Sequence, residues 1–344
     1  MNFPMDLLSR VAQFFETKPF RPHPLFTGGH AQTLAAYAWP RRHKLRPNTN
    51  EERLFEVSPD TKVLAHCHWQ TDRANRPTIV VWHGIEGSSS SVYMLAIAKK
   101  GFQAGFNVIR MNLRNCGDTE HLTPTLYHGG LTDDLRAVVN ELIETEGLRQ
   151  IVLVGYSLGG NMVLKLAGEY AVHAPSEVLA VAAVSPSVDL GASARTIGLD
   201  SNWLYHRDFM RRLRTRIRRK QKLYPELYDT IALGRIRTIR EFDDHYTSVA
   251  HGFADADDYY YRASSIRVID KIVVPTLIIH AEDDPFIPYE PLRHPAIAAN
   301  PNILLHTTER GGHVAFIAAS ADSEDRFWAE NRVVDFCRLA VNKE

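Results

Sequence analysis

The sequence predicts an α/β fold, in which helices cover both faces of a mostly parallel, doubly wound sheet and a helical cap is inserted. Two observations lead to this prediction. Short, continuous apolar runs alternate with amphipathic segments along most of the chain, as buried parallel strands alternate with helices. Residues 186–266, in contrast, contain no buried-strand pattern and are rich in helical, aromatic and charged residues. An insertion of this size between two strands is typical of a cap over the carboxyl ends of the strands.

The strands are predicted from their hydrophobic patterns. Two stretches alternate strictly and suit an antiparallel edge: residues 52–57 and 62–69. Continuous apolar runs suit buried parallel strands, and these are residues 78–82, 106–111, 151–155, 178–184, 273–280 and 302–306. Amphipathic patterns predict helices over residues 91–104 and 158–170, one opening near Thr132 with its hydroxyl as a cap, and one from about Ser323.

The 344 residues fit one folding unit with a large core. We expect residues 1–50 to form an N-terminal segment that packs on the core. Residues 51–185 and 267–344 would form the α/β core itself, and residues 186–266 the helical cap. Apolar residues near the N-terminus fall at helical spacing. These residues are Leu7, Leu8, Val11, Phe14 and Phe15. Their spacing favours a helix packed on its own domain, with peripheral membrane contact as the alternative.

Composition excludes several classes of protein. Hydrophobic residues at 44% and charged residues at 23% exclude a disordered chain. Forty basic residues against forty acidic ones leave no overall positive field, which argues against a dedicated nucleic-acid binder. Three scattered cysteines without a CxxC pair fit no disulfide scaffold. Without a signal-peptide core or a membrane-length apolar run, the expected location is the cytoplasm, with no integral membrane segment.

The strongest local motif is GYSLG at residues 155–159, which fits the pattern G-x-S-x-G. An apolar strand pattern precedes it and a helical pattern follows it, as a nucleophile elbow requires. A serine in so sharp a turn has strained backbone angles, and the flanking glycines remove side chains that would clash. The motif therefore predicts Ser157 as a nucleophile at the edge of the sheet. A glycine-rich turn with an incidental serine is the alternative.

A serine hydroxyl needs a base to remove its proton, and a carboxylate to hold that base. Two later loops supply both groups in the order Ser, Asp, His that this type of turn uses. The loop after the strand at 273–280 contains Asp283 and Asp284, and a Gly-Gly-His sequence ending at His313 follows the last strand. We expect His313 as the base. Asp284 is favoured as its partner because the following proline fixes the turn, which leaves Asp283 to cap the loop.

Charge that develops on a substrate carbonyl needs fixed N–H donors. The N–H of Leu158, next after the nucleophile, is one candidate. The sequence HGIEGS at residues 83–88 follows the first parallel strand, and its His-Gly pair permits a tight turn that aims the N–H of Ile85 inward. An ordinary strand-to-helix loop is the alternative. Because each of these loops follows a different strand at the same edge of the sheet, we expect them to form one site.

Three longer motifs carry a family resemblance. They are HPLFTGGHAQTL at residues 23–34, HGIEGSS at 83–89 and LYHGGLTDDL at 126–135. With the nucleophile elbow and the Asp and His loops, they make the chain resemble the α/β-hydrolases, and within these the YheT-like esterases, over nearly its whole length. The first and third motifs are far more distinctive than G-x-S-x-G, which many hydrolases share.

The resemblance implies an α/β-hydrolase fold and a charge relay of Ser157, Asp284 and His313, in agreement with the residues favoured above. One departure is Asn115, where relatives usually carry glycine. It concerns the conformation of a loop near the site and leaves the three relay residues intact. Some eukaryotic relatives carry an N-terminal membrane anchor, and no such segment is visible here, so membrane insertion is not expected.

Other groups of residues favour structural roles. His66 and His68 share one strand face but lack a third ligand, and no phosphate-binding loop occurs, so no metal and no organic cofactor are expected. The basic run at residues 207–222 fits a solvated cap helix, with attraction of acyl-phosphate or phospholipid substrates as the alternative. The tyrosines at 259–261 could equally line an apolar acyl pocket or pack the cap on the core.

The motifs together predict a serine hydrolase that cleaves carboxylic esters through an acyl-enzyme, with a small-molecule ester or a lipid as substrate. An acyltransferase with the same triad, in which an alcohol or thiol replaces water, is one alternative. A non-catalytic binding protein of the same fold is another, and the presence of all three reactive groups opposes it. A serine at the nucleophile position argues against haloalkane dehalogenase or epoxide hydrolase chemistry, which needs a carboxylate there.

Overall fold

The protein was analysed as a computed structural model that describes residues 6–39, 41, 50–319 and 324–342. These residues form an eight-stranded sheet with the strand order β1-β2-β4-β3-β5-β6-β7-β8. In chain order, β1 to β8 are Asn50–Ser58, Thr61–His68, Thr78–Trp82, Asn107–Met111, Ile151–Tyr156, Val178–Val184, Thr276–Ala281 and Ile303–Thr308. Strand β2 pairs antiparallel with β1 and β4, and all other neighbouring strands are parallel.

Helices cover both faces of this sheet. In chain order, the α-helices of the described residues, α1 to α12, are Leu7–Thr17, Gly29–Ala38, Val92–Gln103, Thr132–Glu144, Leu158–Tyr170, Leu190–Ile197, Trp203–Leu223, Ile239–Phe242, Ser248–His251, Ala256–Ala263, Pro295–Ala298 and Trp328–Val341. Apolar side chains of α1, α3 and α12 pack on one face of the sheet, and those of α4, α5 and α10 pack on the other. The predicted fold class, a mostly parallel doubly wound sheet with an inserted helical cap, is confirmed.

The continuous apolar runs became strands because parallel strands in this sheet are buried on both faces. Every residue of β3, β4, β5 and β7 is buried. The run predicted at 273–280 begins as a strand only at Thr276, because Pro275 has no N–H to donate to a neighbouring strand. The hydroxyl of Thr132 donates to the carboxylate of Glu169 rather than capping α4. The helix start expected near Ser323 lies outside the described residues, and α12 begins at Trp328.

Helices α6 to α10 lie between β6 and β7, where the cap is expected. Of these helices, α6, α7 and α8 share a small apolar core, to which α7 contributes Met210, Leu213 and Ile217. Phe286, from the loop after β7, also packs into this core. The cap therefore rests on the carboxyl-end loops of the sheet. The division of the chain at residues 186 and 266 stays a prediction.

The N-terminal helix α1 packs against the sheet and against α12. Val11 and Phe15 are buried, and the ring of Phe15 contacts that of Trp328 edge to face at 5.9 Å between centroids. These contacts bury the apolar stripe recognised in the sequence. Residues 1–5 and 42–49 of the expected N-terminal segment lie outside the described residues. Within the part of the chain that the structure describes, no helix combines the length and apolarity needed to cross a membrane.

Candidate active site

Ser157 occupies a sharp turn between β5 and α5. Its backbone has φ 55° and ψ −116°, which is unusual for a residue with a side chain and marks local strain. The turn passes so close to its neighbours that a Cβ at Gly159 would lie 2.6 Å from the carbonyl oxygens of Trp82 and His83. A Cβ at Gly155 would lie 2.2 Å from the carbonyl oxygen of Gly159. The sequence G-x-S-x-G thus matches a steric requirement of this turn.

Asp284 and His313 meet at the same edge of the sheet, in the loops after β7 and β8. The imidazole Nδ1 of His313 lies 2.8 Å from Oδ2 of Asp284, whose side chain is completely buried. The other carboxylate oxygen accepts the N–H groups of Phe286 and Ile287 at 2.8 and 3.0 Å. Burial alone would raise the pKa of Asp284, but His313 and these N–H donors outweigh burial and lower it. Asp284 therefore remains a carboxylate that accepts from the imidazole.

Asp283, the neighbouring candidate, makes a different contact. Its Oδ1 accepts the N–H of Gly312 at 2.9 Å, so it caps the loop that carries His313. The imidazole is bound by Asp284 and not by Asp283. The geometry thus separates two adjacent carboxylates that the sequence pattern alone left open.

Ser157 and His313 line one cavity of about 1040 Å³. Ile85 also lines it, so loops following β3, β5 and β8 meet there, with Asp284 behind His313. Apolar side chains from the N-terminal segment, the core and the cap line the same cavity, among them Leu34, Tyr37, Val92, Leu204, Phe209 and Phe286. A cavity of this size and lining can accept a largely apolar substrate.

The loop at residues 83–88 packs directly against the elbow. A Cβ placed on Gly84 would lie 2.9 Å from Cβ of Ser157. The N–H groups of Gly84 and Glu86 donate to the hydroxyls of Tyr93 and Tyr127, at 3.0 and 2.9 Å. The N–H of Ile85 lies between them and finds no protein acceptor among the described residues. An N–H that is left unpaired beside the serine is suited to a developing oxyanion.

The N–H of Leu158 is the second predicted donor. Leu158 is the first residue of α5, so its N–H has no partner within the helix, and no other acceptor occurs among the described residues. The positive end of the α5 dipole adds to its potential at this point. Leu158 therefore follows Ser157 directly in the chain, and the loop that contains Ile85 packs against Ser157 in space.

The imidazole of His83 braces the loop that contains Ile85. It is fully buried, with Nδ1 2.7 Å from the carbonyl oxygen of Gly84 and Nε2 3.1 Å from the N–H of Leu113. Since Nε2 must accept, Nδ1 carries the proton and donates. Burial lowers the pKa of His83 to about 4, so the ring is neutral at pH 7. Sequence analysis assigned the His-Gly pair to the turn and missed the two hydrogen bonds by which the His83 ring supports the loop.

The motif at residues 23–34 holds the loop that carries His313. Thr33 Oγ1 accepts the N–H of His313 at 2.9 Å. Gln32, fully buried on α2, accepts the N–H of Ile317 and donates to the carbonyls of Phe26 and Ile317, at 2.7, 2.8 and 3.1 Å. Sequence analysis singled out the motif but missed this role, for which a glutamine on an otherwise apolar helix was the available signal.

Comparison with known proteins agrees with the observed fold. A family model described as the alpha/beta hydrolase fold matches residues 77–319. An Escherichia coli (strain K12) protein named "Putative esterase YheT" is 32% identical over 326 residues, which cover 94% of each chain. The chain belongs to the α/β-hydrolase family. Within it, the chain is a YheT-like member.

Two further similarities extend this result. A Saccharomyces cerevisiae (strain ATCC 204508 / S288c) protein named "Monoacylglycerol lipase" is 31% identical over 303 residues, which cover 85% of this chain and 64% of that protein. A solved structure, the Pyrococcus furiosus esterase Pf2001, has a TM-score of 0.55 and 16% identity, and the match covers 87% of this chain and 98% of that one. At this identity the structural match shows the shared fold alone.

Asn115 is the residue that sequence analysis marked as a departure from the glycine of the family pattern. Its φ of 64° lies in the left-handed region that favours glycine, and asparagine is among the residues that tolerate it best. Its Nδ2 donates to the carbonyl oxygen of Thr125 at 2.8 Å. The substitution therefore keeps the backbone conformation of the loop and ties it to the next segment.

The basic run at residues 207–222 lies on α7 of the hydrolase cap. Arg211 and Arg219 are exposed, as a solvated helix predicts, but Arg216 is 8% exposed and Lys220 is completely buried. Sequence analysis treated the run as one solvated surface and missed these two cations. Helical position explains the difference, because residues four apart share the face of α7 that lies on the core loops.

The tyrosines at 259–261 pack the cap on the core. The hydroxyl of Tyr259 accepts the N–H of Gly129 at 2.9 Å, and that of Tyr260 donates to Asp243 at 2.7 Å. Tyr261 is 59% exposed. None of the three belongs to the lining of the cavity. Of the two interpretations left open, packing is the one that the contacts support.

The described residues contain no group of three or more histidine, cysteine and acidic side chains placed to hold a metal ion. His68, one of the two histidines on β2, accepts from Nε of Arg110 at 3.2 Å. The neighbouring His66 lies 3.8 Å from the carboxylate of Glu52 across the β1–β2 pair. His68 therefore has a protein partner, whereas His66 is too far from Glu52 for a hydrogen bond.

Proposed function

We propose that this α/β-hydrolase cleaves carboxylic esters by a serine-hydrolase mechanism, with Ser157 as nucleophile. The observation that carries the proposal is the hydrogen bond between Asp284 and His313 at a cavity that Ser157 also lines. A neutral imidazole whose Nδ1–H is bound to a carboxylate has Nε2 available as a base. The names of relatives, an esterase in one case and a monoacylglycerol lipase in another, support ester chemistry.

In the proposed reaction, Ser157 Oγ attacks the ester carbonyl while His313 takes its proton. Asp284 holds the imidazole and stabilises its protonated form. The N–H groups of Ile85 and Leu158 bind the oxyanion of the tetrahedral intermediate. His313 then protonates the leaving alcohol, and an acyl ester on Ser157 remains. A water molecule deprotonated by His313 attacks this ester and releases the carboxylic acid, which restores the free serine.

The cavity is lined by apolar side chains and also by charged ones, among them Arg211, Arg212 and Arg219 of α7. Its apolar part and its volume favour esters with an extended acyl or alcohol portion, such as lipids or apolar small molecules. Since the cap supplies Leu204 and Phe209, and the N-terminal segment supplies Leu34 and Tyr37, specificity for this portion comes from outside the sheet. A series of p-nitrophenyl esters of increasing chain length would measure this specificity as kcat/KM.

The decisive experiment replaces the nucleophile. Ser157→Ala should lower kcat for a short p-nitrophenyl ester by at least about 10³-fold. A matched control is Ser187→Ala, because this serine is also buried beside the elbow but its hydroxyl donates to Ser193 at 2.6 Å. The control should stay within about threefold of the native kcat, as expected for a residue outside the reacting groups. Undiminished turnover by the Ser157 variant would refute the proposal.

Labelling separates an enzyme from a binding protein of the same fold. A fluorophosphonate probe should react with the native protein and not with Ser157→Ala. Product analysis with and without an added alcohol then separates hydrolysis from acyl transfer, since a transferase would form the new ester in preference to the free acid. Hydrolysis predicts that the acid is the main product at all moderate alcohol concentrations.

A further inference from the structure

Glu86 follows Ile85 directly and has an unusual backbone conformation. Its φ of 53° lies in the left-handed region, which costs free energy in a residue that is neither glycine nor asparagine. Tyr127 holds it there, because the tyrosine hydroxyl accepts the N–H of Glu86 and donates to its Oε1, both at 2.9 Å. The backbone that leads out of Ile85 therefore has a conformation that neighbouring side chains must impose.

The second partner of Glu86 comes from the cap. Arg216 on α7 places Nε 2.9 Å from Oε1 and Nη2 3.0 Å from Oε2 of the carboxylate, in a bidentate pair. Both side chains are buried, at 9% and 4% exposure. A planar guanidinium bound to both oxygens fixes the direction of the carboxylate as well as its position.

Arg216 also contacts the next loop of the sheet. Its Nη1 donates to the carbonyl oxygen of Asn115, and its guanidinium lies 5.2 Å from the ring centroid of Tyr127. The loops after β3 and β4 are thus joined by one cation supplied from a helix 130 residues away in the chain. Since this charge is buried, loss of either partner leaves the other unpaired in a poorly solvated site.

We propose that Arg216 is a positioning residue for the oxyanion hole, acting through Glu86 on the N–H of Ile85. The site would then reach full activity only when α7 is docked on the core. This inference rests on the proposed ester hydrolysis and adds to it a dependence of transition-state stabilisation on the cap. It assigns Arg216 of the basic run a positioning role rather than a role in attracting an anionic substrate.

A neighbouring residue on the same helix provides the control. Lys220 is also buried, one turn further along α7, and its Nζ donates to the carbonyls of Glu120 and Thr123. It docks the cap on a segment that is not part of the oxyanion loop, and it does not line the cavity. Loss of Lys220 therefore removes two contacts of α7 with the core, while Arg216 still holds Glu86.

The experiment compares Arg216→Met with Lys220→Met on a p-nitrophenyl ester. Removing one oxyanion donor typically costs about 10²–10³ in kcat, so misaiming the Ile85 N–H in Arg216→Met should lower kcat at least about 30-fold, with KM within about threefold. Lys220→Met should keep both constants within about threefold of native. Equal losses of kcat in the two variants, or a rise in KM alone, would overturn the proposal.

An inhibitor that forms a tetrahedral adduct reports on the oxyanion hole directly. An aryl trifluoromethyl ketone should lose affinity for Arg216→Met by about the same factor as kcat, because it resembles the transition state. Its affinity for Lys220→Met should change by no more than about threefold. Undiminished affinity for the Arg216 variant would contradict the proposed role.

A double variant covers the case in which Arg216→Met fails to fold. In Glu86→Met/Arg216→Met no charge is left unpaired, and such apolar replacements of buried pairs are often neutral for stability. The double variant should melt close to the native temperature and still show the low kcat. Native kcat in a folded double variant would overturn the inference. Failure of the underlying function would differ, because Ser157→Ala would then leave turnover unchanged.

Discussion

The two walls of the cavity are held in place by different chemistry. On the histidine wall, α2 holds the loop of His313 through uncharged hydrogen bonds from Thr33 and Gln32. On the oxyanion wall, α7 holds the loop of Ile85 through the buried ion pair of Glu86 and Arg216. Neither support belongs to the sheet. The strands thus bring the reactive groups to one edge, and two segments outside the sheet fix their orientation.

This difference has an energetic consequence. A neutral hydrogen bond contributes about 1 kcal/mol and its loss is moderate, whereas one half of a buried ion pair left alone costs about 3–5 kcal/mol. The histidine wall should therefore tolerate changes in its support better than the oxyanion wall. The predictions below test this comparison, starting with the reactive carboxylate of the histidine wall itself.

The largest effect is expected for the two adjacent carboxylates of the histidine wall. Asp284→Asn should lower kcat by about 10³–10⁴-fold, because an amide does not stabilise the imidazolium or fix the correct tautomer. Asp283→Asn should stay within about tenfold, since its amide oxygen can still accept the N–H of Gly312. Steady-state kinetics of both variants at pH 8 provide the measurement. If the Asp283 variant were the inactive one, Asp283 rather than Asp284 would be the carboxylate that supports His313 in catalysis.

As the pH falls, the stability that His83 contributes to the oxyanion wall should be lost before that contributed by Asp284 on the histidine wall. The pKa of His83 is lowered by burial from 6.5 to about 4, so between these values the unfolded chain binds the proton and the folded one does not. The stability from this neutral ring is fully present above pH 6.5 and is lost as the pH falls to about 4. The pKa of Asp284 is already below its ordinary value, so its contribution is lost only at lower pH.

The shift at His83 corresponds to about 3 kcal/mol of unfolding free energy between pH 6.5 and 4, at about 1.4 kcal/mol for each pKa unit. Urea unfolding of the native protein and of His83→Gln at several pH values would measure it. The glutamine variant should show a shallower fall on acidification. His280, whose pKa is also lowered to about 4 by burial, contributes equally to both proteins and cancels. Parallel pH curves would contradict the prediction.

A smaller effect is expected when the support of the histidine wall is cut. Thr33→Val leaves the N–H of His313 without its acceptor. It should lower kcat about tenfold and the free energy of unfolding by about 1–2 kcal/mol. Thr33→Ser keeps the hydroxyl and should retain most of the activity. Kinetics and urea unfolding of both variants test this. A loss in Thr33→Val as large as that in Arg216→Met would remove the difference between the walls.

The smallest effect is expected for an exposed ion pair of the cap. Arg212 and Asp208 on α7 lie 2.7 Å apart, but their side chains are about 40% exposed. Asp208→Asn should change the free energy of unfolding by less than about 1 kcal/mol, because solvent screens exposed charges. The change should shrink further in 0.5 M NaCl. A charge on α7 would thus affect the free energy of unfolding strongly where it is buried and very little where it is exposed.

The fold was predictable because its main signal is local. Runs such as residues 178–184 are apolar throughout, and only a strand buried on both faces has that pattern at that length. The elbow was predictable because its motif is local and stands between a strand pattern and a helix pattern, although the close contacts of Gly159 are with the distant residues Trp82 and His83. The order Ser, Asp, His then pointed to Asp284 and His313, which the structure places in contact.

The supports of the site were not predictable from the sequence, because they depend on contacts between distant segments. Nothing local distinguishes Arg216 from the exposed arginines around it, and only the docking of α7 decides which of them becomes buried. Gln32 was similarly ambiguous, since a glutamine on a helix is usually solvated. The preference for Asp284 over Asp283 came from the sequence, but the contacts of the two carboxylates with His313 and Gly312 depend on the path of the loop after β8.

The hydrogen bonds between Gln32 and Ile317 join positions 285 residues apart. Synthesis of the chain therefore produces the turn of Ser157 long before the loop that carries His313, and α2 gains this partner only once residue 317 has left the ribosome. A nascent chain that has not reached this residue lacks the proposed charge relay, even if its first six strands have already paired.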